Sequence, residues 1–165
     1  ISYAFLYTPM KKISPIAVLI GAFPGAFPPM IGWVAVTGRF DIEALVLFGI
    51  QFMWQFPHFW AIAWVRYEDY AKAGFYLLPT KKKDKQSALQ SFIYAAFLIP
   101  IGWMPYFLGL SGLISGIVLM AASVYFTYAA WMLYRTCTRE AARKLMFSSF
   151  FYLPIVLIAL LLDKL

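Results

Sequence analysis

Charge is what this chain has least of. Only 13% of its 165 residues are Asp, Glu, Lys or Arg, about half the share found in soluble domains. Acid is scarcer than base, 7 residues against 14, and there is one histidine and one cysteine. A lone Cys137 rules out an internal disulfide framework. No linker, low-complexity tract or internal repeat divides the chain, so it reads as a single membrane domain over residues 1–165.

What is abundant is hydrocarbon, at 63% of residues. Five apolar runs are long enough to span a bilayer: Pro15–Val36, Ala44–Val65, Ala88–Leu108, Leu113–Tyr134 and Leu145–Leu162. A spanning helix needs about 20 such residues. Ile1–Leu6 reads as the tail of a further span, and a chain that opens on Ile inside an apolar run reads as the C-terminal fragment of a longer protein. The expected fold is therefore all-α, a polytopic transmembrane helix bundle.

The net charge of +7 would suit nucleic acid, but its placement excludes that partner. Twelve of the 14 basic residues fall at Lys11–Lys12, Arg66–Lys85 and Arg135–Lys144, in alternate loops. Such bias marks loops on the cytoplasmic or matrix side, beside anionic lipid. The first span carries Gly21, Pro24, Gly25, Pro28, Pro29 and Gly32; close helix packing with a kink, or an unwound segment lining a cavity, would each use them. Trp33, Trp60, Trp64, Trp103 and Tyr134 lie near span ends, where aromatic belts form.

The second span holds the unusual chemistry. Gln51, Gln55 and His58 share one helical face, which continues through Ile62 to Arg66 and Asp69. Polar groups in the hydrocarbon layer are costly and normally face a bundle interior or a wet cavity. His58 suits three roles: a hydrogen bond to another helix, a general base, or an iron ligand for a haem. The loop beyond reads Arg66-Tyr-Glu68-Asp69-Tyr-Ala-Lys72. Adjacent acids can bind Mg²⁺ that bridges to phosphate oxygens, with Arg66 and Lys72 as phosphate partners. A solvated juxtamembrane loop would account for the same residues.

Several blocks together resemble a known family. Tyr7-Thr-Pro-Met-Lys11-Lys12, Gly25-Ala-Phe-Pro-Pro29, Trp54-Gln-Phe-Pro-His58-Phe-Trp60 and Asp69-Tyr70 through Gly74 are similar to the protohaem IX farnesyltransferase (haem O synthase) branch of the UbiA-type intramembrane prenyltransferases. The resemblance is dense from residue 3 to about residue 80, and the Trp-Gln-x-Pro-His-Phe-Trp block is specific to the haem branch. It implies the last part of a nine-helix bundle and transfer of a farnesyl group from farnesyl diphosphate to a vinyl group of haem B, with Mg²⁺ as cofactor. It further implies Asp69 and Glu68 as metal ligands, Asp69, His58 and Tyr7 as catalytic residues, and Lys11, Arg66, Lys72, Gln55 and Gln51 as substrate-binding residues. The product, haem O, would pass to a haem A synthase or to terminal oxidase assembly. The expected location is a bacterial inner (plasma) membrane, or the mitochondrial inner membrane in a eukaryote, with the site loops on the cytoplasmic or matrix side. The family's first Asn/Asp-rich motif has no counterpart here, so these residues alone are expected to be inactive. A prenyltransferase acting on a quinone precursor, and a transporter or channel fragment lined by Gln51, Gln55 and His58, are the competing readings.

Overall fold

Hydrocarbon offers a backbone no hydrogen-bond partners, so each apolar run has to satisfy its own amides as a helix. The computed structural model describes residues 16–164. Among them are α1 (Ile16–Thr37), α2 (Ile42–Val65), the short α3 (Tyr67–Lys72), α4 (Lys85–Phe107), α5 (Leu113–Thr136) and α6 (Arg139–Leu162). All but α3 are long and apolar enough to cross a membrane. Tyr7, Lys11 and the expected sixth-span tail lie outside the described residues.

The spans fall within a few residues of the apolar runs, with one larger difference. The last helix begins at Arg139, six residues before the apolar run. Thr138 caps it, its hydroxyl accepting from the Ala141 amide at 3.2 Å, and a helix supports charged residues at its end when their long stems reach out of the apolar layer. Arg139, Arg143 and Lys144 are thus helical, on one turn after another, rather than in a loop. In α1, Pro24, Pro28 and Pro29 all lie inside one continuous helix, so the helix is not unwound there.

α2 is the centre of the arrangement. It packs against α1, α4 and α6, while α5 closes a four-helix cluster by packing on α4 and α6. Small residues let these helices approach, as they do in membranes generally. A Cβ added at Gly102 would lie 3.2 Å from the Ser123 hydroxyl, and one at Gly116 would lie 3.0 Å from the Trp103 ring. Cross-helix hydrogen bonds add direction: Ser123 to the Tyr152 hydroxyl at 3.0 Å, and the Thr127 hydroxyl donating to the Ala95 carbonyl at 3.0 Å. Trp60 and Trp64 are buried, so they belong to this core and not to a lipid-facing belt. Phe56 and Trp60 pack on Tyr94 of α4.

The ends away from the basic loops are tied by carboxylates. Asp41 caps α2 through the Ala44 amide at 3.1 Å and also accepts from the Trp33 indole at 2.9 Å, joining α1 to α2. Asp163, just past α6, accepts from the Ser115 amide at 2.7 Å and so caps α5.

The α1–α2 contact turns on one glycine. A Cβ at Gly25 would overlap Oε1 of Gln55, whose amide donates to the Ala22 carbonyl at 3.2 Å. Gly25→Ala in the complete protein is expected to lower stability by about 1–3 kcal/mol, the usual cost of overpacking. In a Gln55→Ala background the same change is expected to become neutral or stabilising, because the obstacle is gone and alanine is the better helix former. Thermal unfolding of the four proteins of this double-mutant cycle measures the sign change; additive effects would show that the contact is not formed.

A candidate active site along the polar face of α2

The polar residues of α2 line the side of the helix left between α1 and α6. Gln55 leans to α1, bonding Ala22, while His58 leans to α6. Gln51 lies a turn further down, and its Oε1 is buried without a hydrogen-bond partner among the described residues. The Gln55 amide also reaches the Gln51 carbonyl at 3.2 Å. Gln55 therefore has a structural task, whereas Gln51 has an unmet acceptor.

His58 is held on three sides. Its ring stacks on Trp54, with centroids 4.5 Å apart, and meets Phe150 of α6 edge-on at 5.3 Å. Its Nδ1 lies 2.7 Å from the Ser149 hydroxyl. That hydroxyl donates its only proton to the Met146 carbonyl, 2.5 Å away, and so can only accept from the imidazole. A neutral ring therefore carries its proton on Nδ1, and its Nε2 lone pair has no hydrogen-bond partner among the described residues. Trp54 stiffens the seam by donating its indole N–H to the Ser149 carbonyl at 3.0 Å. Free Nε2 is the form that can ligate a metal or take a proton.

Toward the basic end, the space between α2 and α6 widens into a cavity of about 760 Å³, a volume typical of small-molecule sites. Its rim carries Arg66 from α2 with Arg139 and Arg143 from α6, and its wall is apolar down to Phe150, which touches His58. From Arg66 to His58 is eight residues, roughly 12 Å of helix. Asp69 adjoins the rim, 3.4 Å from the Arg66 guanidinium. Both side chains are about two-thirds exposed, so the pair adds little stability and leaves the carboxylate open to exchange partners. Glu68 turns elsewhere, to Lys83 at 2.8 Å. Lys72 ends α3 and does not line the cavity.

α3 is anchored by the loop that follows it. The Tyr67 hydroxyl donates to the Lys81 carbonyl at 3.0 Å, and the Lys83 ammonium lies 4.8 Å from the Tyr67 ring centroid. Asp84 holds the loop's far end, accepting from the Ser87 amide at 2.8 Å and the Thr80 hydroxyl at 2.7 Å. Partial burial pushes its carboxyl up, but the Ser87 amide and the Thr80 and Ser87 hydroxyls together outweigh that and hold it below its ordinary value.

Among the described residues no three His, Cys, Asp or Glu side chains gather closely enough to hold a metal. Asp69 remains a fitting single ligand, since Mg²⁺ keeps several waters and often takes only one or two carboxylates beside substrate phosphates. The sequence predicts Gln51, Gln55, His58, Arg66 and Asp69 on one continuous helical face; α2 carries the first three, but it ends at Val65, so Arg66 caps it and Asp69 belongs to the separate α3. Sequence alone did not pick out Ser149, Trp54, Arg139 and Arg143. The two arginines are four apart on a face ending in Phe150, a spacing legible in the sequence but taken as topological charge. Nothing in the sequence pairs Ser149 with His58.

The described residues thus form a helical membrane bundle with an apolar-walled cavity under a rim of arginines and an acid. The model of the UbiA prenyltransferase family matches residues 1–154, and the chain belongs to that family. It is 56% identical over 163 residues to the protoheme IX farnesyltransferase of Cytophaga hutchinsonii, covering 98% of this chain and 57% of that protein. It is 46% identical to the Christiangramia forsetii protein of the same name, covering 98% and 55%. The chain thus spans a little over half the length of the curated relatives it matches. In fold it is similar to a solved structure concerned with digeranylgeranylglyceryl phosphate synthase, with a TM-score of 0.83 at 23% identity over 98% of this chain and 56% of the other.

Two outcomes follow from this geometry. Imidazole ¹⁵N NMR of the complete protein, with the signal assigned by its loss in His58→Gln, is expected to show a protonated Nδ1 and an unprotonated Nε2. Ser149→Ala should mix the tautomers, and Ser149→Thr should restore the single form; a wild-type ring protonated on Nε2 contradicts the assignment. The Asp84 carboxyl is depressed in the folded state, so its contribution is complete above the ordinary aspartate value and lost as pH falls through the lowered one. Amide protection across residues 80–88 is expected to begin falling once pH drops below about 3.9, and to be weak at every pH in Asp84→Ala.

Proposed function

We propose that this chain supplies the C-terminal part of the active site of an enzyme that transfers a farnesyl group from farnesyl diphosphate to a vinyl group of haem B, producing haem O. The observation that carries the reading is His58, a buried imidazole whose Nδ1 meets Ser149 and whose Nε2 has no hydrogen-bond partner among the described residues, set below the arginine rim. The names of the relatives, each a protoheme IX farnesyltransferase, and the family membership support the same reaction.

In this reading Asp69 supplies a carboxylate oxygen to Mg²⁺, and Arg66, with Lys72 nearby, attracts the diphosphate to the rim. Mg²⁺ when bound would neutralise charge on the leaving diphosphate. The wall of Ile62, Met146 and Phe150 keeps water away from the allylic cation left when the C1–oxygen bond breaks, and aromatic faces favour such a cation. The outer vinyl carbon then bonds to that C1, and the cation this leaves on the inner vinyl carbon is quenched by a water molecule that adds there and loses a proton, giving the hydroxyl of haem O. His58 would hold the acceptor by its iron, below the rim that holds the diphosphate. Tyr7 and Lys11 complete the diphosphate site in this proposal. The rim lies on the cytoplasmic side of a bacterial inner membrane, following the basic loops. Haem O is then passed to haem A synthesis or oxidase assembly.

In the complete enzyme, Asp69→Asn is expected to abolish farnesyl transfer at saturating Mg²⁺ while leaving the protein folded and inserted; near-normal turnover would remove Asp69 from the metal site. His58→Ala is expected to weaken haem B binding, read by absorbance titration, without changing farnesyl diphosphate affinity. Equal loss of both affinities, or of neither, would make His58 a packing residue.

A further inference from the structure

We infer that Arg139 and Arg143, on the first turns of α6, bind the diphosphate of the prenyl donor together with Arg66, making the last helix part of the leaving-group site. This rests on the farnesyl-transfer reading above. Three guanidiniums share the rim of one cavity, although they come from helices 73 residues apart in the chain (Arg66 to Arg139). Neither Arg139 nor Arg143 has a carboxylate partner in an ion pair among the described residues. Arg143 rests on the Phe147 ring, 5.6 Å from its centroid, an arrangement that stiffens the guanidinium while leaving its N–H groups free to donate.

Glu140 on the rim and Asp69 beside it offset two of the three charges, so the rim is cationic before any metal binds. The first turn of α6 adds the positive end of the helix dipole. An arginine fork matches phosphate oxygens in pairs. The chemistry favours diphosphate over a carboxylate ligand, because Asp69 repels a carboxylate but joins a diphosphate through a shared metal. Depth agrees with this choice. With the diphosphate on the rim, the donor's C1 lies just beneath it, at the top of the apolar wall that leads down to His58. Charge released as the C1–oxygen bond breaks would be met by groups already in place, the condition under which electrostatic stabilisation is effective.

Inorganic pyrophosphate with Mg²⁺ is the probe, titrated calorimetrically into the complete enzyme in neutral phosphatidylcholine vesicles, with haem B titrated separately by absorbance. Arg139→Gln and Arg143→Gln should each weaken pyrophosphate binding about tenfold, the factor for losing one charge-assisted hydrogen bond, and raise KM for farnesyl diphosphate. Haem B affinity should not move. Arg135→Gln is the control: it removes the same charge nearby, but Arg135 lies over Trp131 and not on the cavity, so pyrophosphate affinity should stay within about twofold. Should a glutamine variant fail to fold, the lysine variants test the same point, with an expected loss of a few-fold from the missing fork. Unchanged pyrophosphate affinity overturns the inference. So does a loss confined to haem binding, which would place carboxylates on these arginines, or an effect seen only when anionic lipid is added, which would assign them to lipid headgroups. If the wild-type enzyme binds no pyrophosphate, the farnesyl-transfer reading fails as well; if it binds and the variants bind equally, only the role of α6 fails.

Discussion

Polar groups cannot be left idle in hydrocarbon, and the row of them on α2 determines how its neighbours pack. Gln55 finds its acceptor on α1 at Ala22, and that contact requires a glycine at position 25. His58 finds its acceptor on α6 at Ser149. Each bond is worth modest energy in a membrane, but together they set α1 and α6 on either side of the same stripe. The cavity opens on the α6 side of that stripe, between α2 and α6. Packing and site thus follow from one requirement.

That requirement also separates polar residues that build the bundle from those that remain available. Gln55 spends its amide on packing and keeps no free donor for a ligand beyond what it already shares with Gln51. Gln51 keeps a buried Oε1 with no partner among the described residues. Unmatched buried acceptors are costly, and they persist where a ligand or a neighbouring element meets them. A gradient results along about 12 Å of α2, from amide and imidazole in the apolar depth to guanidinium and carboxylate at the rim. The two ends suit the donor and acceptor of the proposed reaction.

The basic end is organised by local rules. The Thr80–Asp84–Ser87 knot orders the loop and the Tyr67–Lys81 bond holds it against the first turn of α3, so Asp69 is presented on a short helix tethered at its start. Glu68, adjacent in sequence, faces Lys83 instead, because successive helical residues point about 100° apart. Two neighbouring acids therefore do different work. Asp163 and Asp41 perform an equivalent service at the opposite end, where they close helix ends.

Much of this was legible in the residues themselves. Apolar length identified the spans, alternation of Lys and Arg ordered the loops, and a period of 3.6 put Gln51, Gln55 and His58 on one face, since each of these is a property of a single helix or of chain order; the break at Arg66 that puts Asp69 on its own helix is not such a property. Whether a polar side chain on that face packs or waits for a ligand depends on what stands across from it, and that is a relation between segments far apart in the chain. Gln55 against Ala22, His58 against Ser149 and the convergence of Arg66 with Arg139 and Arg143 exist only once α1 and α6 have docked on α2. The tautomer of His58 is settled later still, by a hydroxyl on another helix with a single proton already committed to its own backbone.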